Sequence, residues 1–194
     1  MNNEFSINYF SELKTALDAI STDDVQKIID VIAEGYKNNQ QIFIMGNGGS
    51  ASLASHFCCD LSKGTLSRIY DHTEKRLRVI SLTDNAALLT AFANDVSYDD
   101  VFAQQLNNLV NKDDVVIAIS GSGNSKNVIK AVELAHKIGA ITVGLLGFDG
   151  GALKNMVHHK IIVPSKNYGV IEDAHSALAH LISASLAKIK NETQ

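Results

Sequence analysis

The 194-residue chain has no tryptophan, a single proline and only two cysteines. The cysteines, Cys58 and Cys59, are adjacent, so on a helix they point in different directions. That excludes a disulfide framework and zinc-finger spacing, and leaves two buried or half-buried thiols. No apolar run approaches the roughly 18 residues needed to cross a membrane. The opening "MNNEFSINYFSELK" lacks the basic-then-apolar pattern of a secretory signal, so the cytoplasm is the expected location. Positive charge is not in excess either: the net charge is −4, which argues against a general nucleic-acid binder. A local anion site stays open, because backbone amides can supply one without net charge.

What is present is an ordinary globular composition, 45% hydrophobic and 20% charged. Residues 1–40 read as two helices, the second opening on Ser21 and Asp24 as a capping pair. From 41 onward, short apolar runs alternate with helical stretches. The runs are "QIFIM" at 41–45, "RVISL" at 78–82, "DVVIAIS" at 114–120, "ITVGLL" at 141–146 and "KIIVP" at 160–164. Apolar on successive residues, they suit strands of a parallel sheet covered on both faces. Helices are expected to begin near Ala51, Asn85, Ser97, Ser125 and Gly150, with a last one from about Val170 to Lys190. This last helix is apolar nearly all round, which predicts burial, in part against another subunit. Alternating strands and helices give one α/β domain, a three-layer α/β/α sandwich over 41–194 with a helical segment before it.

Two strand ends open into small-residue loops, "GNGGSAS" after the first and "SGSGNSKN" after the third. Ligands of open parallel sheets bind at such carboxyl ends, where glycine permits close approach and helix amides and serine hydroxyls donate. Gly46, Gly48 and Ala51 fit the relaxed dinucleotide fingerprint G-x-G-x-x-A. Asp84 is the acid near the end of the second strand, but it lies well beyond the expected spacing of about 20 residues. Neither loop ends in the Gly-Lys-Ser/Thr of a triphosphate loop. Just past the first loop, His56 and Asp60 stand at i and i+4, on one helix face. On the last helix, Glu172 and His180 lie about 80° apart, whereas His175 lies about 140° from His180, so His175 and His180 can hardly serve one site. His72, His136, His158 and His159 show no partner pattern and read as surface residues, and "HTEKRLR" (72–78) reads as a solvated connector.

"GNGGSA…HF" followed by "SGSGNSKNVIKAVELA" resembles the SIS (sugar isomerase) domain family, more specifically the phosphoheptose isomerases. The resemblance extends through "TAFANDVSYDDVFAQQL" and "GLLGFDGG" to "IEDAHSALAHLI". It implies a five-stranded parallel sheet and conversion of sedoheptulose 7-phosphate to a heptose 7-phosphate, destined for lipopolysaccharide or another glycoconjugate. It implies a phosphate held by Ser120, Ser122 and Ser125, with Asn47, Gly48 and Ser50 beside the substrate. Asp95 matches a further acidic position that orients sugar hydroxyls, although capping of the next helix is an equal reading. The family's His-Glu-Gln-His quartet falls on His56, Asp60, Glu172 and His180, an oxygen-and-nitrogen set suited to zinc, with Asp60 and His180 as the acid–base pair. An aspartate replaces glutamate and a glutamate replaces glutamine; the family's Asp-Arg pair becomes Gly169 and Val170. The resemblance also implies a homotetramer. Two readings compete with catalysis: a non-catalytic SIS scaffold that binds the replication initiator protein, and a sugar-phosphate sensor.

Overall fold

A computed structural model describes residues 3–192. Two helices lead, α1 (Glu4–Asp18) and α2 (Thr22–Lys37). Ser21 caps α2 as its sequence implied, its hydroxyl accepting from the Asp24 amide at 3.2 Å. The five strands are β1 (Gln41–Gly46), β2 (Arg78–Ser81), β3 (Val115–Ser120), β4 (Ile141–Gly147) and β5 (His159–Val163), all within a residue or so of the apolar runs. They form one fully parallel sheet in the order β2-β1-β3-β4-β5.

Each central strand is apolar on both sides because both sides are covered. Ile42, Ile44, Ile117 and Ile119 face one core with α1, α2, α3 (Gly49–Cys59) and α7 (Tyr168–Glu192). Phe43, Met45, Val116 and Ala118 face a second core with α5 (Val101–Leu109) and α6 (Lys126–Ile138). That is the three-layer sandwich the sequence predicts. The remaining helix, α4 (Ala86–Asp95), starts after its cap Asn85, whose side chain accepts from the Leu88 amide. Among the described residues no helix is long and apolar enough to cross a membrane.

Several expectations need correction. Near Gly150 there is only a short 3-10 turn, Ala152–Asn155, because the backbone takes positive φ at Phe148, Gly150 and Gly151. Ser97 opens a single 3-10 turn, Tyr98–Asp100, before α5 begins. Within the single chain helix α7 is buried along one side: Val170, Ile171, Ala174, Leu178 and Ile182 enter the core, while Glu172, Asp173, His180 and Leu181 are exposed. Of the two thiols, Cys58 is half-buried and Cys59 exposed; burial pushes the Cys58 thiol up.

The 72–78 stretch is not a plain solvated connector, since Glu74 and Leu77 are buried. The Glu74 carboxylate accepts from the Ser67 and Arg68 amides at 3.0 and 2.8 Å and stands 3.6 Å from Lys190 Nζ. Lys190, almost wholly buried, also donates to the Thr65 carbonyl at 2.9 Å, which fixes the far end of α7. The near end is held by Tyr9, whose hydroxyl donates to Asp173 at 2.6 Å. His136 and His158 are exposed but not solitary: both meet the Thr142 hydroxyl, at 2.8 and 2.9 Å, with ring centroids 4.6 Å apart. His159 is half-buried, and His72 is exposed as expected.

Candidate active site

In the order β2-β1-β3-β4-β5 the chain reverses direction between β1 and β3, so the two glycine-serine loops flank the switch point where such sheets bind ligands. Gly48, at φ +55° and ψ −123°, makes the turn from β1 into α3, a conformation open to glycine alone. In the second loop the Ser120 hydroxyl accepts from the Gly123 amide at 3.1 Å and the Ser122 hydroxyl from the Asn124 amide at 3.2 Å. Each hydroxyl keeps its own hydrogen to donate. Ser125 is the N-cap residue of α6 but makes no side-chain cap bond, so its hydroxyl is not spent on its own helix. The Lys126 and Asn127 amides, at the start of α6, add donors without intrahelical acceptors.

The loops open onto one cleft of about 180 Å³, lined by Asn47 and Ser50 from the first and Ser120, Ser122 and Ser125 from the second. A second cleft of about 360 Å³, lined by Ser50, His56, Glu172 and His180 among others, shares the Ser50 and Glu172 walls with it. A larger cavity, about 640 Å³, lies beyond Ser122 and Tyr168 at the ends of β4 and β5. It is walled mainly by Phe148, Tyr168, Pro164 and Lys166 and contains none of the clustered titratable groups.

On the wall of the second cleft, His56 Nε2 and His180 Nε2 are 2.8 Å apart; Asp60, which does not itself line the cleft, brings Oδ2 to 3.4 Å from the first and 3.7 Å from the second. Among the described residues these three form the one His/Cys/Asp/Glu group compact enough for a metal. Donors of a tetrahedral zinc, at bond lengths near 2.0–2.2 Å, stand about 3.4 Å apart. The two carboxylate gaps match that figure and the imidazole pair needs to open slightly, so the set fits a divalent ion. Asp60 reaches the histidines despite its short side chain. It begins a π-helical turn, Asp60–Gly64, at the end of α3, an irregularity with no signature in the sequence.

Glu172 is placed differently from the sequence expectation. It lines both clefts but lies outside the three-residue group. Its carboxylate is set over the amino end of α3: a methyl at Gly49 would fall 2.6 Å from Glu172 Oε1. There the charge complements the helix dipole. His175, which helical angle sets apart from His180, nevertheless lines the second cleft with it. Fully buried, it meets the Leu146 carbonyl through Nε2 at 3.0 Å, and burial pushes its imidazole down to about 4.

Asp95 lines neither cleft; it ends α4 and accepts from Asn94, and the turn after it is capped by Ser97 instead. Asp84 accepts through Oδ1 from the hydroxyls of Ser55, Ser81 and Thr83 and lines neither cleft. At the position of the absent Asp-Arg pair, Val170 is fully buried and a side chain on Gly169 would meet the Tyr9 hydroxyl at 2.9 Å. Two residues that no motif singles out, Tyr98 and Asn127, hold Asn47 from behind.

A family model for the SIS domain matches residues 7–147. The phosphoheptose isomerase of Helicobacter pylori strain P12 is 41% identical over 170 residues, 88% of this chain and 85% of that one. The solved phosphoheptose isomerase of Neisseria gonorrhoeae superposes with a TM-score of 0.85 at 30% identity, covering 95% of this chain and 97% of its own. That of Francisella tularensis gives 0.84 at 27% identity, over 96% of each chain. With the switch-point clefts, the two loops and these likenesses running along nearly the whole sequence, the chain belongs to the SIS domain family, beside the phosphoheptose isomerases it resembles.

Proposed function

We propose that the protein is an aldose–ketose isomerase of phosphorylated sugars, converting sedoheptulose 7-phosphate to D-glycero-D-manno-heptose 7-phosphate through an enediol. One observation carries this reading: a cleft lined by hydroxyl and amide donors shares its Ser50 and Glu172 walls with a cleft lined by His56 and His180, the two imidazoles that the Asp60 carboxylate approaches. The first seats a phosphate and the second moves protons, so one substrate can occupy both. A sensor needs the first cleft alone, and a protein-binding scaffold needs neither.

In this reading Ser120, Ser122 and Ser125 donate to the phosphate, with Asn47, Gly48 and Ser50 along the carbon chain. Asp60 and His180 take the C1 proton of the ketose, return a proton to C2 and serve the adjoining oxygens, each role calling for a positioned acid or base. His56, Asp60 and His180 would hold a zinc ion, with Glu172, on the wall of the same cleft, as a fourth ligand; such an ion would supply positive charge to the developing oxyanion. The exposed Phe5, Ile7 and Phe10 of α1, and an apolar α4 with no buried residue, support self-association, which we assign to a homotetramer.

Purified protein incubated with sedoheptulose 7-phosphate is expected to form aldose product, to lose that activity to a chelator and to regain it with zinc. Absence of product with and without zinc would overturn the reading. A second expectation arises from the packing of Glu172 on Gly49. Gly49→Ala leaves the helix intact but displaces the carboxylate by about 1 Å, which should lower kcat/KM roughly 10²-fold while the far-ultraviolet circular dichroism is unchanged.

A further inference from the structure

Asn47 follows β1 and Asn127 lies in the first turn of α6, yet their side-chain amides form a reciprocal pair. Asn47 Nδ2 donates to Asn127 Oδ1 and Asn127 Nδ2 donates to Asn47 Oδ1, both at 2.9 Å. The oxygen and nitrogen of an amide are nearly alike in shape, so their assignment must come from a neighbour whose role is fixed. The backbone N–H of Val128 is such a neighbour: it can only donate, and it meets Asn127 Oδ1 at 2.9 Å. Asn127 Oδ1 is therefore an acceptor and its Nδ2 a donor. It follows that Asn47 Oδ1 accepts and Asn47 Nδ2 donates. The Tyr98 hydroxyl strengthens the same polarity by donating to Asn47 Oδ1 at 3.0 Å. One hydrogen of Asn47 Nδ2 is used on Asn127. The other remains on a residue that lines the cleft between the two loops. Asn127, 2% exposed, is not part of that wall.

We propose that Asn127 and Tyr98 are positioning residues, locking Asn47 as a one-way donor whose remaining N–H meets an oxygen of the bound sugar phosphate. The lock also ties the first loop to the helix that follows the second, so both loops present donors in one fixed register. An unlocked amide can turn over and offer its carbonyl oxygen, which repels the oxygens of a phosphate ester. The proposal rests on the functional reading above.

The test uses Tyr98→Phe, Asn127→Leu, Asn47→Ala and the Tyr98→Phe/Asn47→Ala double variant, assayed with sedoheptulose 7-phosphate. With kcat within about twofold, KM should rise about threefold in Tyr98→Phe and about tenfold in Asn127→Leu, the range of a neutral hydrogen bond lost from ground and transition states alike. Adding Tyr98→Phe to Asn47→Ala should change KM no further, because Tyr98 acts through Asn47. A merely structural role would lower the melting temperature and leave this selective, non-additive KM pattern absent. Unchanged KM in Tyr98→Phe, or additivity in the double variant, would overturn the proposal while turnover by the wild type upholds the enzyme. Should Asn127→Leu fail to fold, the Tyr98 cycle decides alone. A wild type without turnover would instead sink the functional reading, and the same cycle is then read calorimetrically as binding of the sugar phosphate.

Discussion

Replacing His180 with alanine is expected to lower kcat on the order of 10³-fold, the typical contribution of a positioned general acid or base. The residue is well suited to a clean test. Its side chain is 60% exposed, so its removal leaves the cores on either side of the sheet untouched. Asp60→Asn, which keeps shape and removes the charge, should fall as far. In both variants calorimetry should still register sugar phosphate, because the loop donors belong to the neighbouring cleft. The two effects are also expected not to add, as residues acting on one proton transfer fail together. Full activity in either single variant would remove His180 and Asp60 from the chemistry.

The second large effect concerns stability in acid. Burial pushes His175 from 6.5 down to about 4, so between these values the unfolded chain takes up a proton that the native protein excludes. Stability from this residue is complete above pH 6.5 and falls as the pH drops toward 4, by about 3 kcal/mol in total. Glu74 acts lower down. The Ser67 amide foremost, then the Arg68 amide and the Lys190 ammonium, hold its carboxyl at about 2 against an ordinary 4.5. Its share is present above 4.5 and is lost as the pH falls through about 2. Urea midpoints measured from pH 7 to pH 4 should therefore decline, and His175→Asn should flatten that decline. A variant as acid-sensitive as the wild type would contradict it.

The strands could be read from sequence because a parallel sheet covered on both faces needs apolar residues at every position, and Val115–Ile119 supplies them without a break. The loops were legible through their glycines and serines. The pairing of His56 with His180 was legible through the family resemblance; helical angle set His175 and His180 apart but did not choose between them, and both line one cleft. What stayed hidden depends on contacts with no periodic signal. The π-turn at Asp60 has no composition of its own. The Glu74–Lys190 contact joins residues far apart in the chain, so 72–78 looked like a solvated connector. Helical angle correctly puts Glu172 and His180 on one cavity, while the resemblance adds Glu172 to the histidine group, and neither shows that Gly49 leaves a seat for its carboxylate. The Asn47–Asn127 pair likewise spans two loops that meet only in the folded sheet.

Glu172 and His180 ride on a single unbroken helix whose ends are pinned by Tyr9 and by Thr65. The stretch between them, about 12 Å at the usual rise, is therefore a stiff ruler and not an adjustable hinge. On the proposed chemistry, the spacing of Glu172 and His180 along the cleft they share is set by helical pitch.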